Sequence, residues 1–285
     1  MSAKMSISFL CDYLGVSRSS YYRRLRGPTP RQIRKRDIHS KIGVLFSRSN
    51  ASYGPTRMTK ELFRSFDFKT SKNTVSKYMK EIGLQKKRKR RFKVITTNSN
   101  HQNPIAPRLF KTTETKLLKP AQVLAGDITY LRLGKSFLFL AIVMDLFTRK
   151  IVGWSISKHL GSSVVEDAMQ MALNNTKNFR DKNTIFLSDR GVQYSSRSFR
   201  KILCKNNILQ SMSRKGNCYD NAHVESWFKS LKYEWIKNSE YQTESQLRSL
   251  VFEYIELWYN KKRLHSSIGF LPPVEYESHW LNALN

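Results

Sequence analysis

The sequence predicts an α/β core, a mixed sheet flanked by helices, preceded by all-α helical units. Three observations predict it. Up to residue 84 apolar residues recur at helical spacing, whereas after Lys119 they form short β-type runs that then alternate with helices. Charge divides at the same place: residues 1–119 carry net +23 and residues 120–285 net +7, out of +30 for the 285-residue chain. Between the two lies TTNSNHQNPIAP (96–107), polar and Pro-containing, which reads as a linker extending over 96–119.

The first segment, 1–30, contains SFLCDYLGVSRSSYYRRLRG (8–27). Apolar residues at helical spacing are followed by Gly15-Val16-Ser17 and a basic helix, with Ser17 as N-cap. That is a helix-turn-helix pattern in which Arg18, Ser19, Ser20, Arg23 and Arg24 would face DNA. The second unit, 31–95, opens with Ile38, Ile42 and Leu45 at i, i+4 and i+7, an amphipathic helix. Ser52-Tyr53-Gly54-Pro55 breaks it, and a second helix holds Met58, Leu62 and Phe63. TSKNTVSKYMKEIGL gives a third helix stopped by Gly83, carrying Lys72, Lys77 and Lys80. A small bundle with a solvated basic face would look similar; repetition of the pattern favours DNA. KKRKRR (86–91) follows. Six consecutive like charges cannot pack together, so Lys86, Lys87 and Arg88 belong to an extended arm suited to tracking phosphates.

Other classes are disfavoured. The longest clean apolar run, FLFLAIVM (137–144), has eight residues against the roughly 20 a membrane span needs. The N-terminus lacks a secretory pattern. Cys11, Cys204 and Cys218 are odd in number and widely spaced, which fits a reducing cytoplasm and neither a zinc site nor a disulfide framework.

Segment 120–285 begins with VLAGDITYL, SFLFLAIVMD and KIVGWSIS, three strands joined by short turns, the middle one apolar on both faces and therefore covered. A helix near 163–173, a strand at 184–188, a helix at 196–205 and a strand at 208–212 follow. Asp127 interrupts the first strand, where Asp is disfavoured. Asp189 comes directly after TIFLS, at the carboxyl end of a buried strand, the edge where open α/β sheets bind ligands. Glu225 lies early in DNAHVESWFKSLKYEW, beside a core stripe of Val224, Phe228, Leu231 and Trp235, on a row shared with Lys229 and Lys232. Three such carboxylates could converge on Mg²⁺ or Mn²⁺, hard cations that prefer oxygen. Each also has a plain alternative: a bulge cap, a helix cap, and a Glu225–Lys229 pair. Asp145, in DLFTRK, reads as a turn residue paired with Arg149.

The order DITY, DLFTRKIVGW, SDRGVQYSS, CYDNAHVESWFKSLKYEW, YNKKRLHSSIGFLPPVEY resembles bacterial insertion-sequence transposases encoded by a second reading frame, with a retroviral integrase-like DDE core. The family spacing of 35 residues between the second and third acids is kept from Asp189 to Glu225, and a basic residue, Lys232, stands seven positions after the Glu. The sequence departs from the family at Leu124, where Trp is usual, and at Leu187, where His is usual. The resemblance implies a ribonuclease H-like fold and Asp127, Asp189 and Glu225 as catalytic metal ligands for two Mg²⁺ or Mn²⁺ ions. It implies double-stranded DNA as partner, both element ends and target, with Lys232 and Lys229 beside the site on phosphate. It also implies a homo-oligomer on DNA, fusion to or partnership with an upstream reading-frame product, and a place at the nucleoid in a bacterial cytoplasm. A non-catalytic helix-turn-helix regulator and a plain metal-dependent nuclease are the rival readings.

Overall fold

Hydroxyl side chains punctuate the N-terminal half. Ser6 and Ser17 accept hydrogen bonds from backbone N–H groups at the starts of α1 (Ile7–Tyr13) and α2 (Arg18–Leu25), as Ser17 was expected to. Thr29 forms a reciprocal capping box with Gln32 at the start of α3 (Pro30–Arg48). Gly54 and Pro55 open α4 (Pro55–Phe66), and Ser71 caps α5 (Lys72–Glu81), which ends before Gly83 at φ +71°. Each side-chain cap of this kind is worth about 1 kcal/mol. In the computed structural model the described residues are 6–84, 103–110, 115–213 and 221–284, the side chain of Asn238 excepted.

The chain divides into two units, Met1–Lys86 and Lys87–Asn285. In the first, Ile38, Ile42, Leu45 and Phe46 of α3 are buried with Met58 and Leu62 of α4 and Val75 and Met79 of α5. Phe63, a residue away from Leu62, is 47% exposed and lies off that face. α2 buries no residue at all, so its basic surface is open to solvent.

The second unit is built on a five-stranded sheet in the order β3-β2-β1-β4-β5. β1 (Val123–Leu133), β2 (Ser136–Asp145) and β3 (Ile151–Ser157) form an antiparallel meander. β2 is interior, which explains its two apolar faces. α6 (Ser162–Thr176) crosses to β4 (Ile185–Ser188), which runs parallel to β1. α6 lies so close to β3 that a Cβ on Gly153 would sit 2.1 Å from the Ala168 backbone oxygen. Only glycine permits that contact. A short α7 (Val192–Ser195) and α8 (Arg197–Lys205) lead to β5 (Leu209–Met212), parallel to β4. Residues 103–110, in the stretch expected to be linker, lie against this sheet: Phe110 is buried and the Leu109 amide donates to Ser211 Oγ at 3.0 Å.

α9 (Ala222–Glu234) follows, then α10 (Glu244–Phe252), a π-helical turn over Glu253–Tyr259, and α11 (Pro273–Asn282). The Asn260 side chain brackets Ile151, accepting from its N–H and donating to its carbonyl, both at 3.0 Å. Trp154 Nε1 donates to Glu256 at 2.8 Å. The C-terminal helices are thereby fastened to β3. Among the described residues no helix is long and apolar enough to cross a membrane.

Candidate active site

Parallel pairing of β1 with β4 sets the geometry. Val123, Leu124 and Ala125 face Ile185, Phe186 and Leu187 in register. Continuing that register two residues places Asp127 level with Asp189, one residue beyond the end of β4. The residue alternation of a strand then puts both carboxylates on one face. Leu124 and Leu187, the two departures from the family pattern, are each fully buried in the ladder. Asp127 is half-buried, and its Oδ1 accepts from the Ile128 amide at 2.8 Å. Burial first, then Asp189, then Glu225 push its pKa well above the ordinary carboxylate value, against the opposing pull of that amide and Lys232. Asp189 Oδ1 accepts from the Gly191 amide at 2.9 Å. A Cβ at Gly191 would meet that oxygen at 3.0 Å, so the glycine serves close approach; its φ of −62° is ordinary.

Glu225 occupies the first turn of α9, its amide bonded to the Asn221 carbonyl at 3.1 Å. Asn221 is the N-cap residue, yet its side chain makes no cap bond; its Nδ2 points to the Gly126 carbonyl at 3.5 Å. Val224, Phe228 and Leu231 are buried as expected, but Trp235 lies past the last helical residue and is half-buried. Trp227 and Glu234 complete the buried face instead. Glu225 Oε2 sits 3.6 Å from Lys229 Nζ, with side chains 41% and 63% exposed, a loose pair of small energetic value. Among the described residues no three His, Cys, Asp or Glu side chains are gathered into a ready metal-binding group.

Lys232 lies two turns after Glu225, its Nζ 4.5 Å from the centre of the Tyr130 ring. Burial lowers its pKa to about 8, with Asp127 raising and Lys237 lowering it further. A cavity of about 770 Å³ is lined by Asp127, Asp189, Tyr130 and Lys232 among others.

Asp145 departs from expectation in its partner. Its carboxylate accepts from Thr148 Oγ1 at 2.7 Å and from the amides of Phe147 and Thr148, and closes no ion pair with Arg149 among the described residues. The turn's own hydroxyl and amides take the carboxylate oxygens, and Arg149 acts on Asp145 as a nearby charge. Arg18 and Arg23 are exposed, donating respectively to Ser8 Oγ and, at 3.0 Å, to Ser20 Oγ. Lys72 and Lys77 are exposed on α5, whereas Lys86, Lys87 and Arg88 lie outside the described residues. Two features escaped the sequence reading. Glu234 and Arg263 form a buried ion pair, for which a charge at a core position of α9 was the available signal. Among the described residues the hydroxyl of Tyr194, 98% buried, has no hydrogen-bond partner; nothing in SDRGVQYSS marks it.

Residues 118–218 and 206–273 match two families, each described as Integrase core domain, and residues 32–92 match HTH-like domain. Mixed sheet, flanking helices and these matches define the class: a ribonuclease H-like integrase core, implying polynucleotidyl transferase activity, preceded by a helix-turn-helix-like unit. The chain is 39% identical over 280 residues to Transposase InsF for insertion sequence IS3A of Escherichia coli K12, covering 97% of this chain and 95% of that one. It is 34% identical over 268 residues to the insertion element IS600 uncharacterized 31 kDa protein of Shigella sonnei, covering 94% and 97%. The chain belongs to the IS3 family of insertion-sequence transposases. Among solved structures, a chain of the simian T-cell lymphotropic virus intasome complexed with PP2A regulatory subunit B56 gamma aligns over 64% of this chain and 60% of its own, at TM-score 0.47 and 16% identity. The HTLV-2 integrase catalytic core domain in complex with magnesium aligns over 57% and 99%, at TM-score 0.43 and 15% identity.

Proposed function

We propose that this transposase binds the ends of its element, cuts them at Asp127, Asp189 and Glu225 with divalent metal, and joins the released 3′-OH to target DNA. The observation that carries the reading is the level placement of Asp127 on β1 and Asp189 just past the carboxyl end of β4, with Glu225 near enough to raise the pKa of Asp127. The donor set fits Mg²⁺ or Mn²⁺, because all three groups offer hard carboxylate oxygen. A cation would also relieve the mutual repulsion of Asp127 and Asp189. Glu225 gives up only a loose surface pair with Lys229 to join them.

When bound, two such ions supply Lewis-acid stabilisation of the attacking and leaving oxygens of an in-line displacement at phosphorus. The chain's own groups fix the geometry: the β1–β4 ladder holds Asp127 and the Gly191 amide orients Asp189. Lys232 offers a point charge to a phosphate beside them. In the first step water attacks phosphorus and the P–O3′ bond breaks, freeing the 3′-OH of the element end. In the second that hydroxyl attacks a target phosphodiester and a new 3′-OH departs. Exposed Arg18, Arg23, Lys72, Lys77 and the 86–91 arm supply phosphate and base contacts that hold the ends. Two ends must meet, so the working form is an oligomer on DNA, alone or joined to an upstream-frame product, in the bacterial cytoplasm.

The test is cleavage and strand transfer on a labelled element end with Mg²⁺ or EDTA. Asp127→Asn, Asp189→Asn and Glu225→Gln should each abolish nicking and leave DNA binding largely intact. Robust cleavage by any one sinks the triad. Nicking without joined products would make the protein a nuclease instead.

A further inference from the structure

β1 runs on past Ala125 with β2 on one side and, among the described residues, no strand on the other. The cavity of about 770 Å³ opens along that bare edge, a size that admits one or two nucleotides. Its lining includes Asp127 and Asp189, though not Glu225, and extends well beyond them. Tyr130 and Phe137 meet edge to face at 5.4 Å along its wall, and Phe137 is 46% exposed, an aromatic face left uncovered. Arg132, Lys232 and Lys237 also line it. Tyr194 also lines it, and its buried hydroxyl has no hydrogen-bond partner among the described residues. A buried hydroxyl without a partner is destabilising unless something arrives to bond it.

These features select one ligand chemistry. Aromatic faces take a flat π-system, an orphan hydroxyl takes a polar edge, and three cations take flanking phosphates. We propose that the cavity captures a nucleobase splayed out of the DNA strand whose phosphate lies at Asp127 and Asp189. The capture rests on the assignment of those acids to the reacting phosphate. Turning a base out would open the strand beside the scissile bond, and contacts in the cavity would offset the lost stacking and pairing. A strand from a second copy could instead add to the bare β1 edge, but it would gain nothing from three cations.

The experiment uses the full chain and duplexes carrying the terminal sequences that flank its gene, with Ca²⁺ as the divalent ion. Each of the last few nucleotides is replaced in turn by an abasic residue. At one position the missing base should weaken wild-type binding about tenfold, the range of one stacked base. Phe137→Ala and Tyr130→Leu, checked for folding by circular dichroism, should bind intact DNA correspondingly worse and lose that sensitivity. A 2-aminopurine at the same position should change its fluorescence on binding to wild type and not to Phe137→Ala. An abasic penalty that is equal in wild type and variants, or absent at every position, overturns the proposal. So does a loss of oligomerisation in the variants with base dependence unchanged. Cutting that survives Asp127→Asn would remove the acid assignment, whereas base-dependent affinity is read without any cutting, so the two failures are separable.

Discussion

Arg263 grips Glu234 through two hydrogen bonds, Nε to Oε2 at 2.6 Å and Nη2 to Oε1 at 2.7 Å, with both side chains buried. Burial works against the guanidinium charge, but Glu234 more than offsets it and raises the pKa. Arg263 Nη2 also reaches Ser230 Oγ at 3.3 Å, so the C-terminal segment is locked to the helix that carries Glu225. Removing one partner of a buried pair leaves an uncompensated charge and costs about 3–5 kcal/mol. Arg263→Ala should therefore lower stability in urea by about that amount. The double variant Arg263→Met, Glu234→Leu should recover most of it. A single variant within about 0.5 kcal/mol of wild type would show that the pair is not a clamp.

Lys232 should respond to pH. With a pKa near 8, its ammonium is charged at neutral pH and neutral above that value. Affinity for a cleaved end is expected to fall as pH rises through about 8, and Lys232→Arg should remove that fall because guanidinium stays charged. Lys232→Ala should lower activity with folding preserved. An unchanged rate in the alanine variant would return Lys232 to a packing role over Tyr130.

Asp145 predicts a stability effect of opposite habit to most acids. Its folded pKa is raised to about 6, burial outweighing the donors from Thr148 and Phe147. The folded state therefore holds the proton more tightly between the unfolded value of 3.8 and about 6, and this group's contribution to stability falls as pH rises through that window. The change is on the order of 3 kcal/mol. Urea midpoints of wild type should decline relative to Asp145→Asn between about pH 4 and 6 and run parallel above it. Parallel curves throughout would mean Asp145 ionises normally.

Binding and chemistry should separate along the chain. With net +23 before residue 120, a fragment of residues 1–95 is expected to carry most of the affinity for element ends. Each phosphate neutralised contributes roughly −0.9 to the slope of log K against log salt, so several contacts give a steep dependence. The fragment should prefer end sequences over scrambled duplexes, while residues 120–285 bind weakly without preference. Discrimination by the second fragment alone would overturn this division.

Much of this was legible in residues because each depends on local chemistry. Ser17 marked a helix start, Gly54-Pro55 marked a break between helices, apolar runs marked β1 to β3, and an Asp inside a strand marked itself. Pairing was not legible. Nothing local joins Glu234 to Arg263, and the choice of Thr148 over Arg149 by Asp145 depends on how tightly a turn closes. The cavity is further still from sequence, since it arises where two strands part and not from any residue's own preference. Trp235 misled for a related reason: the helix stops at Glu234, and periodicity carries no stop signal there.

The pairing of Ala125 with Leu187 spans most of the meander and the whole of α6, so the two aspartates can meet only after β4 has been made. Glu225 is later again. Synthesis proceeds at about 5–20 residues per second with N-terminal units folding first. A nascent chain thus presents its HTH-like unit to DNA on the order of ten seconds before it possesses a third acid. On the function proposed above, the molecule would be a tether during translation before it is a blade, and a chain cut short between those moments would hold DNA ends and never open them.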